Sequence, residues 1–528
     1  MRKLFFVLFL IPGFLSAQTN YDIIIQNGKI IDGTGNSWFY ADLAVKDGKI
    51  VSIQKHISAG ATKVIDAKGL IIAPGFIDVH THIEGDEVKT PGAENFIYDG
   101  VTSVVTGNCG SSKSSMAAYF HALDSAPISI NVASLIGHNN VRREVIGTAN
   151  RQPNDQELQK MQAIVQQGME EGAVGLSTGL IYIPGTYSKT EEIIELAKVA
   201  SKYNGVYASH MRDEGDSVTQ SIAEALRIGR EANISVEISH FKLSGQQNWG
   251  RSNETVGMVM QARKDGLDVT VDQYPYTASS TSLSTLIPDE ILADGPDSVK
   301  ARLTRPDTRK YVVDFMVKRL KKRKLKHFSY PVVAYHRADT TYNGKSIEEV
   351  NLMKGRKHKA KEEAETVVDM MLNGGASMVF HGMSEKDVQK IMQYPFNMFA
   401  SDASIREFGA GVPHPRGYGT NARVLGKYVR EEKIISLEEA IRRMTSLPAQ
   451  KFQLKDRGLL KEGMAADIVV FDEAKVLDLS TFDKPHQYST GFQYVLVNGK
   501  LVVDQAKHTG VRSGMVLYGP GYIKKTAL

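Results

Sequence analysis

Two histidines follow an apolar segment in the stretch GFIDVHTHIEGD, which covers residues 75–86. Side chains two residues apart on a strand point to the same side, so His80 and His82 present both imidazoles to one point. Neutral imidazole is a good ligand for zinc. A His-x-His pattern alone is as typical of core or surface histidines as of metal ligands. The other candidate residues of the chain decide between these two interpretations.

Four more residues that can bind a metal stand at or just after the ends of apolar segments. Cys109 follows VTSVVTGN, His210 ends GVYASH, His240 ends ISVEISH, and Asp402 ends FNMFASD. Scattered polar residues would seldom all fall at such ends, so the set predicts one metal-binding site. Its nitrogen, sulfur and carboxylate donors favour zinc, because magnesium and calcium prefer shells of oxygen.

The chain has a single cysteine, which excludes a disulfide-based scaffold and suits Cys109 as a zinc ligand. On a metal its thiol would be deprotonated, and a thiolate can bridge two metal ions. Asp402 is the candidate general base, since a carboxylate can take a proton from water and deliver it to a leaving nitrogen.

These residues need a scaffold that brings strand ends together, and the pattern of residues 74–456 predicts one. Short apolar segments such as GAVGLSTGL alternate with helical patterns such as NDQELQKMQAIVQQGMEEG. This alternation predicts an α/β fold with a parallel sheet and about as many strands as a (β/α)8 barrel needs. Such a barrel carries its active site at the carboxyl ends of the strands. A doubly wound open sheet has the same alternation and is the alternative.

The two ends of the chain share a different pattern, in which β-branched segments surround Asn-Gly or Asp-Gly pairs. Examples are YDIIIQNGKIIDGTG, ADLAVKDGKIVSI and YVLVNGKLVVDQAKHTG. Such pairs are typical of β-hairpins. We therefore predict a small β-sandwich domain built from residues 21–73 and 457–520, with the barrel inserted between its two parts.

Residues 288–370 interrupt the alternation with a long, basic segment of helical pattern. This segment contains the run Lys321–Lys324, which is more typical of a solvated helix face than of a nucleic-acid site. We predict an insertion in a late loop of the barrel, placed where it would serve as a lid.

The first 17 residues have the pattern of a signal peptide. Arg2 and Lys3 precede the apolar stretch Leu4–Leu15, and Ser16 and Ala17 form a small-residue cleavage region. We expect cleavage after Ala17 and export to the periplasm or the extracellular space, with an uncleaved membrane anchor as the alternative. No other stretch approaches the ~18 apolar residues of a spanning helix.

The composition is that of an ordinary soluble protein, with 42% hydrophobic and 23% charged residues. The formal net charge of +5 is small for 528 residues and does not indicate a nucleic-acid partner. We expect a small-molecule substrate, and the sequence contains no feature that specifies an oligomeric state.

The order His-x-His, Cys, His, His, Asp resembles that of the amidohydrolase superfamily. Within it the chain is similar to the N-acyl-D-amino-acid deacylases, or D-aminoacylases. The stretches that carry the resemblance span nearly all of the chain after residue 21 and include PGFIDVHTH, TGNCG, SHMRDEGD, DQYPYTASST and HPRGYGTNARVLG. Each alone is weak, and together they are specific. One departure is Ile83, which stands where close family examples often have an acidic residue.

The resemblance implies two neighbouring metal positions. The ligands of a tightly bound zinc would be Cys109, His210 and His240, and a second, weaker position would be lined by His80, His82 and Asp402. The cysteine would take the place of the carboxylated lysine that bridges the metals in many members of the superfamily.

The resemblance also implies a site for the free carboxylate of the substrate. It would be formed by Tyr182, Tyr274, Ser280 and Arg416, with the Arg416 guanidinium as the charged partner. Lys242 is a further candidate, because its position two residues beyond His240 places it on the same face and near the metal.

The activity implied is zinc-dependent hydrolysis of the amide bond of N-acyl-D-amino acids, with the preference for D resting on the resemblance alone. A dipeptidase that releases a C-terminal D-amino acid from cell-wall fragments is the first alternative. A cyclic-amide hydrolase fits less well, because the bridging position holds a cysteine. A non-catalytic protein on this fold would be expected to lack some of the ligands.

Overall fold

The computed structural model describes residues 21–524. The predicted signal peptide, residues 1–17, lies outside these residues, so its cleavage and the export that it implies stay predictions. Within the described residues, none of the helices combines the length and the hydropathy needed to cross a membrane.

Strands occur along the whole of the described chain and form four sheets. They are β1 (Tyr21–Ile30), β2 (Phe39–Lys46), β3 (Lys49–Gln54), β4 (Ala61–Asp66), β5 (Ile71–Pro74), β6 (Phe76–Asp78), β7 (Val101–Thr106), β8 (Asn131–Ser134), β9 (Ile136–Gly137), β10 (Gly175–Gly179), β11 (Val206–His210), β12 (Ser235–Ile238), β13 (Val269–Gln273), β14 (Ala278–Ser282), β15 (Pro331–Tyr335), β16 (Ser377–His381), β17 (Asn397–Phe399), β18 (Ile468–Phe471), β19 (Phe492–Val497), β20 (Lys500–Asp504) and β21 (Lys507–His508).

Helices lie between the strands, and most of them fall in the middle of the chain. They are α1 (Glu94–Ile97), α2 (Met116–Ser125), α3 (His138–Ile146), α4 (Asp155–Glu170), α5 (Thr190–Lys202), α6 (Val218–Ala232), α7 (Ser252–Lys264), α8 (Pro296–Thr304), α9 (Pro306–Lys322), α10 (Ile347–Met353), α11 (Ala360–Leu372), α12 (Glu385–Met392), α13 (Arg416–Arg423), α14 (Leu437–Met444) and α15 (Ser446–Lys451). A π-helical segment, Val424–Glu431, continues α13.

Parallel strands and helices alternate through the middle of the chain, so the predicted α/β architecture is confirmed. β6, β7 and β8 form one sheet, and a second sheet has the order β17-β13-β12-β11-β10-β9. Only Leu135 separates β8 from β9, so one segment of chain passes from the first sheet to the second. Because the strands fall into two sheets, a closed (β/α)8 barrel stays a prediction at this point.

Two backbone N–H groups that follow β17 donate hydrogen bonds to β6 and to the segment just after it, and these two strands lie at the outer edges of their sheets. Ser401 donates its N–H to the Asp78 carboxylate at 3.1 Å. The N–H of Asp402 donates to the carbonyl of His80 at 2.9 Å. These bonds hold the segment that carries His80 beside the segment that carries Asp402.

The apolar side chains of the parallel strands pack into a common cluster, to which α15 contributes. Its members include Ile77, Val79, Val105, Leu135, Val174, Ala208, Met398 and Leu447. The helices outside the strands bury one face each. In α6, for example, Ile222, Ala225, Leu226 and Ile228 are buried, which is the spacing of an amphipathic helix.

Both ends of the chain meet in one nine-stranded sheet. Its order is β21-β20-β19-β18-β5-β1-β2-β3, and β4 pairs with β1. β5 and β18 come from opposite ends of the chain and are antiparallel neighbours. The predicted union of the two ends is confirmed, whereas the two-layer sandwich stays a prediction, because all nine strands belong to one sheet.

The turn predictions have mixed outcomes. Asp47-Gly48 and Asn498-Gly499 have positive φ at both positions, as hairpin turns of type I′ require. The hairpin predicted at Asn27-Gly28 is wrong, because β1 continues through this pair and contacts β2 on both sides of it. Asn27 instead forms an irregularity inside the strand, with φ of 61°, and its N–H donates to the Asp42 carboxylate at 2.9 Å.

The basic segment belongs to an inserted unit between β13 and α12, which we define as residues 278–381. It contains the antiparallel sheet β14-β16-β15 and helices α8 to α11, so it is wider than the predicted 288–370. The unit has its own apolar core, which includes Leu286, Leu303, Met316, Val350 and Val368. Lys321 and Lys322 lie exposed in the last turn of α9.

Candidate metal centre

The six predicted metal ligands come together at the carboxyl ends of parallel strands. His80 and His82 follow β6, Cys109 follows β7, His210 ends β11, His240 follows β12, and Asp402 follows β17. Neighbouring parallel strands end at the same edge, so residues far apart in sequence converge there. We refer to these six residues as the metal centre.

Cys109 lies at the middle of the metal centre. Its Sγ is 3.2 Å from His80 Nε2, 3.5 Å from His210 Nδ1 and 3.7 Å from His240 Nε2. His210 Nδ1 and His240 Nε2 are 2.8 Å apart. The sulfur therefore contacts ligands of both implied metal positions, as a bridging ligand must.

Asp402 closes the other side of the metal centre. Its Oδ1 is 3.3 Å from His82 Nε2 and 3.7 Å from His80 Nε2. Its Oδ2 is 2.9 Å from Nη1 of Arg416. The side chain of Asp402 is only 10% exposed and that of His80 is fully buried, so these groups interact in surroundings with little water.

The donor atoms fit a transition-metal ion. In a tetrahedral zinc site with bonds of about 2.0–2.3 Å, neighbouring ligand atoms are about 3.3–3.8 Å apart. The distances from the Cys109 sulfur to its three imidazole neighbours, 3.2 to 3.7 Å, lie close to this spacing, whereas His210 Nδ1 and His240 Nε2, at 2.8 Å, move apart when they bind one ion.

Three residues of the metal centre have a left-handed backbone. Cys109, His240 and Asp402 have φ of 53°, 36° and 49°. This region is costly for a residue with a Cβ atom, and such strain clusters at functional sites. Each of the three stands where a strand gives way to a loop, so the strained turn is what directs its side chain toward the others.

Nearby charges keep two groups of the metal centre in their anionic forms. Burial alone would raise the pKa of the Cys109 thiol, but the imidazoles of His80 and His210 bring it well below its ordinary value. Burial also acts to raise the pKa of Asp402, and the charges of Arg416 and His80 outweigh it, so this pKa lies well below its usual range. A thiolate and a carboxylate are the forms that bind metals.

Two buried carboxylates that the sequence analysis missed orient the imidazoles. Asp272 Oδ2 is 3.2 Å from His80 Nδ1, and Glu214 Oε1 is 2.8 Å from His240 Nδ1. A carboxylate on the far nitrogen fixes the tautomer and the ring orientation of a histidine ligand. The available signals were weak: Asp272 stands near the end of an apolar segment, and Glu214 follows His210 by four residues.

Two of the implied substrate contacts lie directly beside the metal centre. Lys242 Nζ is 2.5 Å from Glu214 Oε1 and 2.9 Å from His240 Nδ1. The guanidinium carbon of Arg416, which is buried, lies 4.4 Å from the ring centre of Tyr274. The ring of Tyr274 thus faces two cations, since Lys242 Nζ is 5.6 Å from its centre.

Tyr182 and Ser280 lie further out, where the metal centre meets the inserted unit. The ring of Tyr182 is 4.8 Å from that of His210, and its hydroxyl bonds to a threonine of β14 at 2.8 Å. The hydroxyl of Ser280 donates to the carbonyl of Met378 at 2.9 Å, within the inserted sheet. Ser280 meets Arg416 through its own carbonyl oxygen, at 3.4 Å.

Two cavities open onto the metal centre. One of about 340 Å³ is lined by Cys109, Asp402 and Arg416, among others. A larger one, of about 1810 Å³, extends from His210 and His240 to the helices of the inserted unit. The inserted unit therefore forms the wall that faces the metal centre across the larger cavity.

Parallel strands, a cluster of nitrogen, sulfur and carboxylate donors at their carboxyl ends, and a cavity above it together define a metal-dependent hydrolase of the α/β class. Residues 63–503 match the sequence model of the amidohydrolase family.

Close relatives narrow the assignment. The chain is 34% identical to D-aminoacylase of Alcaligenes xylosoxydans xylosoxydans, with 94% of this chain and 97% of that protein covered. It is 35% identical to N-acyl-D-glutamate deacylase of the same organism, with 93% and 95% covered. The structure of N-acyl-D-glutamate deacylase from Bordetella bronchiseptica, complexed with zinc and a phosphonate inhibitor, matches at 34% identity with a TM-score of 0.81 and covers 95% of this chain and 100% of that one. The chain therefore belongs to the amidohydrolase family, among its N-acyl-D-amino-acid deacylases.

Glu214→Gln should weaken metal binding without removing a ligand. The neutral amide holds the His240 imidazole and the Lys242 ammonium less firmly than the carboxylate does. Loss of such a partner typically costs about 10–100-fold in metal affinity. Zinc retention during dialysis against graded chelator concentrations measures the effect.

Two further variants serve as the positive and the negative control for this measurement. Cys109→Ala removes a ligand and should strip the tightly bound zinc altogether. Glu224→Gln is the matched control, because Glu224 is a mostly buried carboxylate that pairs with Arg212 at 2.9 Å and contacts no metal ligand. Equal zinc retention in the Glu214 and Glu224 variants would contradict the orienting role of Glu214.

Proposed function

We propose that the protein hydrolyses the amide bond of N-acyl-D-amino acids, giving a carboxylate and a free D-amino acid. The observation that carries the proposal is the contact of Asp402 with His80, His82 and Arg416. It brings a proton acceptor, a metal position and a cation that can bind a carboxylate to one point. The relatives reported above are named for deacylation of D-amino acids, which supports the same reaction.

Zinc is the metal that we assign to the centre. Cys109, His210 and His240 would bind one zinc ion, and His80, His82 and Asp402 would line a second metal position. When bound, zinc polarises the acyl carbonyl and lowers the pKa of water at the site. The zinc in the Bordetella relative supports this choice.

Asp402 is the proton carrier in this proposal. Its carboxylate accepts a proton from the water that attacks the acyl carbon, and it returns that proton to the amide nitrogen as the C–N bond breaks. Arg416 holds Oδ2 at 2.9 Å. Oδ1, on the side of His80 and His82, is therefore the oxygen left to take the proton.

We assign the free carboxylate of the substrate to the part of the cavity walls that Arg416 and Lys242 form. Arg416 Nη1 forms an ion pair with Asp402 Oδ2 at 2.9 Å but, within residues 21–524, has no hydrogen-bond partner, so its N–H donors remain for a substrate carboxylate. Lys242 adds a second positive charge near Tyr274, and Glu214 partly offsets it. Two cations beside one tyrosine make this wall complementary to an anion.

Three structural features complete the proposal. The parallel strands form one (β/α)8 barrel, which the parallel bridge between Thr81 and Ala403 beyond the ends of β6 and β17 supports. The nine-stranded sheet folds into a small β-sandwich, since side chains of β1, β2, β5, β18 and β19 share one core. The inserted unit acts as a lid, because it faces the metal centre across the larger cavity.

The purified protein should release free amino acid from N-acetyl-D-amino acids and much less from their L enantiomers. A screen that quantifies the released amine for both series, beside L-Xaa-D-Xaa dipeptides, checks this. Release from none of the N-acetyl-D substrates would overturn the proposal. Markedly faster turnover of the dipeptides would favour the dipeptidase alternative.

Asp402→Asn should keep zinc in the tight position and lose about 10²–10⁴-fold in kcat, because the amide cannot accept the proton. Turnover and zinc content are measured on the same sample. Asp213→Asn is the matched control: Asp213 lines the same larger cavity, but its carboxylate accepts from the N–H of Gly215. Near-normal turnover of Asp402→Asn would remove Asp402 as the proton carrier.

We infer export from the pattern of residues 1–17. The mature chain should begin at Gln18, and N-terminal sequencing of the protein recovered from the periplasm or the medium checks this. Recovery of the uncleaved chain from the membrane fraction would instead establish the anchor alternative.

A further inference from the structure

A second group of metal-binding side chains lies in the inserted unit, and it shares no residue with the metal centre. His327, His358 and Glu363 place one donor atom each within 4.8 Å of one another. His327 comes from the loop after α9, His358 from the loop before α11, and Glu363 from the first turn of α11. We call these three residues the insertion cluster.

The contacts within the insertion cluster are short. His327 Nδ1 is 2.7 Å from Glu363 Oε1, and His358 Nε2 is 4.0 Å from the same oxygen. The two imidazole rings stack with their centres 3.9 Å apart and their planes at 23°, so one ring must turn about its side-chain bonds for both nitrogens to face one ion. A second carboxylate, that of Glu348 in α10, lies 2.5 Å from His358 Nε2. Four donors from three segments thus surround one small region.

Glu363 is the buried carboxylate of the insertion cluster. Its side chain is fully buried, and Oε2 accepts the N–H of Phe328 at 2.7 Å, which leaves Oε1 for the histidines. Within residues 21–524, the ion pairs of Glu363 join it to His327 and His358 alone. Imidazole carries no fixed positive charge, and a metal ion on Oε1 would compensate the buried carboxylate when both histidines are neutral.

We propose that the insertion cluster binds one divalent transition-metal ion of the zinc class. His327 Nδ1, His358 Nε2 and Glu363 Oε1 are its ligands, and Glu348 supplies the nearest carboxylate for a fourth position. Two imidazole nitrogens with carboxylate oxygen favour zinc-like ions over magnesium or calcium, which take oxygen ligands. His327 and His358 are 30% and 48% exposed, so an ion can enter from solvent.

The role of this ion is to cross-link the inserted unit. It adds a link between the loop after α9, α10 and the start of α11, which also meet through side-chain packing and through the hydrogen bonds of the Phe328 backbone to Glu363 and Glu348. Met371 and Leu372, at the end of α11, line the larger cavity. The ion therefore stabilises the wall opposite the metal centre and takes no part in the chemistry. The proposal is independent of the proposed function.

The test compares zinc binding by the full-length protein and by three variants. His358→Gln and Glu363→Gln each remove one ligand. Glu363→Gln keeps an oxygen that can accept from Phe328, so it guards against simple loss of folding. His56→Gln is the matched control, because His56 is an exposed histidine paired with one carboxylate, Asp42 at 3.2 Å, and lies outside every metal-binding group found in the described residues.

Bound zinc per chain is measured after equilibration with micromolar free zinc, and cobalt substitution distinguishes the two sites. A thiolate gives Co²⁺ an intense near-ultraviolet charge-transfer band, whereas the insertion cluster has no sulfur. We expect the native chain and His56→Gln to hold one more equivalent than the two cluster variants. The charge-transfer band and deacylase turnover should be the same in all four proteins.

Thermal unfolding gives a second measurement. Added zinc should raise the midpoint of the native chain by several degrees more than those of His358→Gln and Glu363→Gln. Equal stoichiometry in the four proteins, or loss of the charge-transfer band together with the extra equivalent, would overturn the proposal. Should His358→Gln fail to fold, Glu363→Gln and the native chain alone decide the outcome.

Discussion

Six polar donors are held together, all of them largely shielded from water except His82, and the stability of this arrangement depends on the groups behind them. Burying imidazoles, a thiolate and a carboxylate costs free energy unless each one is paired. Asp272 stands behind His80, Glu214 behind His240, and Arg416 behind Asp402. For these three ligands the sign of the charge changes from the ligand to its outer partner, which reduces the net charge buried at one point.

The backbone at the strand ends is a second constraint on the metal centre. Cys109, His240 and Asp402 take left-handed φ values, each of which costs about 1–3 kcal/mol and persists only where the surroundings leave no alternative. The parallel strands provide such surroundings, because each is bonded to its neighbours up to the turn. The bond from the Asp402 N–H to the His80 carbonyl extends this constraint between the outer strands. The same rigidity keeps the donors in place before any ligand arrives.

Much of the fold could be predicted, because apolar periodicity reports burial within a single element. Strand–helix alternation, the union of the chain ends and the turns at Asp47-Gly48 and Asn498-Gly499 follow from local patterns. From the sequence, Asn27-Gly28 could not be distinguished from these two hairpin turns, because its bulge depends on Asp42, which belongs to the neighbouring strand. The inserted unit begins and ends with β14 and β16, which pair with each other, so its true limits depend on a contact between segments about a hundred residues apart.

The sequence by itself determined that the six residues of the metal centre could bind a metal and that they stand at strand ends, because residue type and strand limits are local properties. Only the tertiary structure decided that Cys109 lies between the two sets of ligands, that Asp272 and Glu214 orient the histidines, and that the Ser280 hydroxyl is engaged by the inserted sheet. The insertion cluster likewise became visible only in three dimensions. Hydrophobic periodicity in the sequence predicts which face of a helix or strand is buried and where that element ends. The distance between two side chains depends instead on how elements that are far apart in the sequence pack.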